Sequence, residues 1–163
     1  MANLRGMAMA LILLAGCTAA PSSAAPEQPV PERLPADMIS FEISSWGSPM
    51  ESFRITSDGN GEYSKAPEFR APVVTRRFNA GPGGFTRIRA LLARIEHFAA
   101  HAPECGNRAT DFPYGQVVWQ AAAARAVVGF DLGCQSEDMQ RVVSAAHDAA
   151  RVAEQLAQTN PAQ

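Results

Sequence analysis

The chain lacks any apolar run long enough to cross a bilayer, which needs about 20 consecutive residues; its most apolar stretch covers only residues 7–14. Cysteine is scarce, with three in 163 residues and no CxxC pair, so the common zinc and thiol-redox frameworks are excluded. No positive excess exists either: 14 Lys and Arg against 16 Asp and Glu leave a net charge of -2, and nothing overall points to nucleic acid. The GxSxG elbow, the HExxH helix, the P-loop and the dinucleotide glycine fingerprint are all missing. No internal repeat at solenoid periods is present. What is present, 47% hydrophobic and 18% charged residues, suits one globular domain of about 120 residues once the first stretch is set aside.

That first stretch has the layout of a secretory signal: Arg5 in a short polar start, then the apolar run 7–14, then small residues. The motif Leu14-Ala15-Gly16-Cys17 resembles the lipobox of bacterial lipoproteins. The resemblance implies removal of residues 1–16, diacylation of the Cys17 thiol and acylation of the new amino terminus. Several acyl chains anchor stably where one does not. It also implies a bacterial cell-envelope location, the outer membrane more than the inner one because Thr18 rather than Asp follows the cysteine, with the domain in the periplasm. The competing reading is an ordinary cleaved signal in which Cys17 is incidental.

Residues 17–36 are rich in Pro, Ala and Ser, and Pro21, Pro26, Pro29, Pro31 and Pro35 obstruct both helix and strand pairing. They read as a tether, able to span roughly 60 Å at about 3.1 Å per residue. The globular part is expected over 37–158, with a frayed tail at 159–163. With Cys17 assigned to lipid, Cys105 and Cys134 remain in an oxidising compartment and are expected to form a disulfide. A metal site using both thiols lacks a suitable spacing and a close His.

Alternation of apolar and polar residues predicts strands at 38–46, with Ile39, Phe41 and Ile43 inward, and at 52–56, with Phe53 and Ile55 inward. Asp58-Gly59-Asn60-Gly61 then signals a hairpin returning through 62–64, and 73–78 is a fourth strand. Gly81-Pro82-Gly83-Gly84 reads as a turn; Pro82 removes a donor and no GKS or GKT follows, which argues against a phosphate cradle. From Phe85 the period becomes helical through Ile88, Leu92, Ile95 and Ala99, closed by Pro103. A second hairpin is expected from 114–120 and 125–131, and a last helix after Ser136 as N-cap. The order β-β-β-β-α-β-β-α predicts an α+β fold, an antiparallel sheet of five or six strands with both helices on one face. With Thr110-Asp111-Phe112-Pro113 before the second hairpin, this layout is similar to an uncharacterised group of secreted bacterial domains, which brings no activity with it.

No catalytic residue, metal ligand or cofactor site is predicted. His97 and His101 stand at i, i+4 but without a third ligand; His147 edges the last apolar stripe; Asp111 reads as a turn residue. Between Arg70 and Arg94 lie six arginines and no acid. Arg87 and Arg94 with His97 and His101 would make a cationic helix face that gains charge as pH falls. That face, or the open sheet face, is the candidate docking surface for an envelope protein or an anionic lipid head group. A solvated face paired with acids from elsewhere is the plainer reading. The expected function is thus a lipid-anchored envelope domain with a non-enzymatic binding or structural role. The alternatives are a periplasmic inhibitor or chaperone-like binder and, behind it, an enzyme using Asp111.

Overall fold

The computed structural model describes residues 33–162; the expected signal peptide, Cys17 and most of the expected tether lie outside the described residues. Six strands form one antiparallel sheet: β1 (Met38–Ser45), β2 (Ser48–Thr56), β3 (Asn60–Lys65), β4 (Val74–Asn79), β5 (Tyr114–Ala121) and β6 (Ala124–Asp131). Their spatial order is β4-β3-β2-β1-β5-β6. Every sequential connection is a hairpin except that between β4 and β5, which carries α1 (Gly81–Leu92) and a 3-10 segment (Ala93–Ala99). The long α2 (Glu137–Thr159) ends the domain. No helix among the described residues is long and apolar enough to cross a membrane.

Strand alternation sorts the two faces. Ile39, Phe41 and Ile43 of β1, Phe53 and Ile55 of β2, Val117 and Trp119 of β5, and Val128 and Phe130 of β6 are buried under the helices. Phe41 stacks between Phe53 and Phe130, at 5.6 and 5.9 Å between centroids. The helices answer with Phe85, Ile88 and Leu92 of α1 and with Met139, Val142 and a run of alanines on α2. Short side chains let α2 lie close to the sheet. Its start is capped as the sequence suggests, Ser136 Oγ accepting from the Met139 amide at 3.1 Å. The opposite sheet face is polar, cross-linked by Arg54–Glu62 at 3.0 Å, Arg77–Glu62 at 3.1 Å and Gln116–Glu42 at 2.6 Å.

Four expectations need correction. Gly81 to Gly84 form the first turn of α1 and not a break before it, because a proline there loses a donor that would be unpaired anyway. The helix stops short of Pro103: after Leu92 the chain tightens into the 3-10 segment and ends at Ala99. As far as Ala162 the tail is held to the sheet, since the amide of Ala162 donates to the Arg77 carbonyl at 3.1 Å and Pro161 bridges Phe78, covering the β4 edge. Composition also places residues 33–36 in the tether, yet Leu34 and Ala36 pack against the core. The Leu34 amide donates to Glu96 Oε2 at 3.1 Å, and Arg89 donates to the Leu34 carbonyl at 2.6 Å.

Candidate functional site

The β1–β2 connection is a two-residue turn, Trp46-Gly47, with Ser45 paired to Ser48. Both central residues have positive φ, +51° and +73°, as a type I′ turn requires. Asn-Gly is the favoured pair for that geometry, and a tryptophan in the left-handed region costs about 1–2 kcal/mol. The side chain gains little burial in return, the residue being 66% exposed.

At the same end of the sheet β5 begins with Tyr114 opposite Asp131, where β6 ends. The Cys105–Cys134 disulfide, with Cα atoms 4.8 Å apart, staples the loop that precedes β5 to the start of α2. The Ala109 amide donates to the Gly133 carbonyl at 2.9 Å, and a side chain at Gly133 would strike the Ala109 carbonyl at 2.2 Å. The staple therefore fixes Arg108, Asp111 and Phe112 beside the Trp46 turn. Together these elements line a cleft of about 230 Å³. Phe112 is 51% exposed and Tyr114 47%, so three large aromatics face solvent around one small space.

The polar groups of the cleft are unequally engaged. Asp131 takes Arg108 at 2.6 Å on one oxygen and the Gly133 amide at 2.8 Å on the other. Asp111 is exposed at φ +70° and makes no side-chain hydrogen bond or ion pair among the described residues. A second cleft, of about 350 Å³, lies next along the chain, with Pro113 and Leu132 in its wall beside Phe69, Glu51 and His147. Glu51 accepts the Tyr63 hydroxyl at 2.8 Å; burial first, then this carboxylate, pushes the Tyr63 phenol well above its ordinary value.

The arginine cluster of the sequence does not assemble into one face. Arg77 joins Glu62 on the open face, Arg89 reaches the Leu34 carbonyl, and Arg70 lies over the Phe69 ring at 5.1 Å. Arg94 pairs with Asp148 of α2 at 2.8 Å, and Asp148 also holds Arg151 at 2.5 Å. Arg87, His97 and His101 are exposed. His97 sits in the 3-10 segment and His101 beyond it, so the i, i+4 relation of an α-helix does not apply. Among the described residues no group of three or more His, Cys, Asp or Glu is placed to hold a metal ion. The sequence reading missed Trp46 as a site residue by assigning it to the strand; the signal was Gly47, which closes a two-residue turn.

No family model and no curated protein matches the chain. The cleft presents surface for contact: three exposed aromatics and one carboxylate, Asp111, that no other described side chain engages.

Proposed function

We propose that this chain is a lipid-anchored cell-envelope domain that binds another component, without catalysis, through the aromatic cleft at the loop end of its sheet. The observation that carries the reading is Trp46: a large aromatic held exposed, at a backbone position that favours asparagine. Strained non-glycine residues gather at functional sites, and two of the three in the described residues, Trp46 and Asp111, line this cleft. Aromatic residues that are rigid and exposed are the usual anchors of protein interfaces.

The anchor would be acylated Cys17 of the Leu14-Ala15-Gly16-Cys17 motif, in the outer membrane by virtue of Thr18. The chain enters β1 at Met38 and the Trp46 turn lies past its far end, about 25 Å away at 3.3 Å per residue. A soluble periplasmic protein held by the same cleft, as by an inhibitor or chaperone-like binder, is the second reading. The Arg87 and Arg94 face carries less, because Arg94 is already paired with Asp148.

Photo-crosslinking in cells tests this, with the reactive group at position 112 in one strain and at position 87 in another, and a Cys17→Ser chain as the anchoring control. A discrete partner from position 112 supports the cleft. A partner recovered from position 87 alone moves the contact to the helix face, and membrane retention of the Cys17→Ser chain removes the lipid anchor.

A further inference from the structure

Resting on the reading of this loop end as a contact surface, we propose that the cleft takes the guanidinium side chain of an arginine presented by a partner polypeptide. Its volume, about 230 Å³, is below the roughly 300–1,000 Å³ of sites that enclose a drug-sized ligand. The space suits one side chain.

Charge selects which one. Arg108 and Asp131 cancel each other, and both Asp131 oxygens are occupied. What remains is the free carboxylate of Asp111 beside Trp46, Phe112 and Tyr114. A negative charge next to exposed π faces attracts a cation and repels an acidic side chain. Among natural cations the guanidinium fits this lining best: it is flat, weakly hydrated, stacks on aromatic faces and can give two parallel hydrogen bonds to one carboxylate. Lysine is a compact, strongly hydrated charge that gains less from the rings. The disulfide and the Ala109–Gly133 hydrogen bond hold the walls in place before binding, which lowers the ordering cost.

The test uses the oxidised full-length chain in detergent and acetyl-glycyl-arginyl-glycinamide as probe, with its citrulline and lysine counterparts and chitotetraose as comparison ligands. The chain has two tryptophans, exposed Trp46 and fully buried Trp119, so two indole N–H signals report the cleft and the core separately by NMR. The arginine peptide should shift Trp46 saturably in the millimolar range and leave Trp119 still. The lysine peptide should shift it less, and neutral citrulline, of nearly the same shape, hardly at all. Asp111→Asn should weaken the arginine peptide about tenfold, the loss of one charged contact. Asparagine tolerates the left-handed backbone, so this variant keeps its fold, as an unmoved Trp119 signal would verify. Equal shifts with citrulline, a preference for chitotetraose, or an unaffected Asp111→Asn variant overturns the assignment. If position 112 still crosslinks a partner equally in the wild type and in Asp111→Asn, the contact surface stands and the arginine inference falls.

Discussion

At Leu34 both backbone polar groups are bound by side chains, Arg89 and Glu96, and the leucine packs on the core; Glu96 itself is 8% exposed. At Trp46 the backbone sits in the left-handed region and two thirds of the residue faces water. The first arrangement satisfies backbone groups that would otherwise be exposed or unpaired. The second sacrifices both backbone ease and apolar burial. A fold alone accounts for the first, whereas the second fits the contact proposed above.

Breaking the staple beneath the cleft should have the largest effect. Cysteines 29 residues apart close a loop whose entropy is worth roughly 3.5 kcal/mol. The double variant Cys105→Ser, Cys134→Ser should lower the urea midpoint accordingly, and the Trp46 indole signal should broaden as the loop carrying Phe112 loosens. A midpoint loss with an unchanged Trp46 signal would show that the cleft is held by the β1–β2 turn alone.

Next comes the entry clamp. Glu96→Ala removes a charged acceptor and leaves the Leu34 amide without its partner, at a cost of about 2 kcal/mol. The Trp46 signal should not move. Smaller still, and opposite in sign, is Trp46→Asn: relief of the left-handed backbone should stabilise the hairpin by about 1 kcal/mol, a rise of roughly 3–5 °C in Tm. Crosslinking from position 112 should fall in the same variant. A lower Tm would mean that the ring supports the fold and is not a freely exposed anchor.

The two regions were unequally legible in the sequence. Alternation at Ile39, Phe41 and Ile43 and at Val117 and Trp119 placed β1 and β5 within a residue or two, because one face of the sheet is buried and the other polar. Ser136 and the cysteine pair were also readable, since capping and disulfide pairing depend on residue type. The start of β2 was hidden by Pro49, which lies beyond the reach of β3 and beside a register shift at Ile43/Ser44, where a missing donor is tolerated. The aromatic cleft was hidden for another reason: Trp46 is far in sequence from the near neighbours Phe112 and Tyr114, and meets them only because β1 and β5 pair antiparallel. The arginines of the run scatter because neighbours in sequence point to opposite faces of β4 and to different sides of α1.

The smallest effect belongs to the open sheet face, which serves as the reference for both regions. Arg54 foremost, and Arg77 after it, hold the Glu62 carboxyl below its ordinary value of 4.5. A carboxylate depressed in the folded state binds fewer protons there than when unfolded, so its contribution is present above that value and fades as pH falls beneath it. Because the arginines are largely exposed, the contribution should be only about 0.5 kcal/mol at low salt and less at high salt. Subtracting the stability of Glu62→Gln from that of the wild type across pH should therefore give a small plateau near neutrality that declines below pH 4.5. A flat difference would mean the ladder is silent in solution. The other carboxyl held low among the described residues is Asp58, by the Thr56 hydroxyl first and then by Asn60, and the same pH series on Asp58→Asn would show whether acid sensitivity arises there.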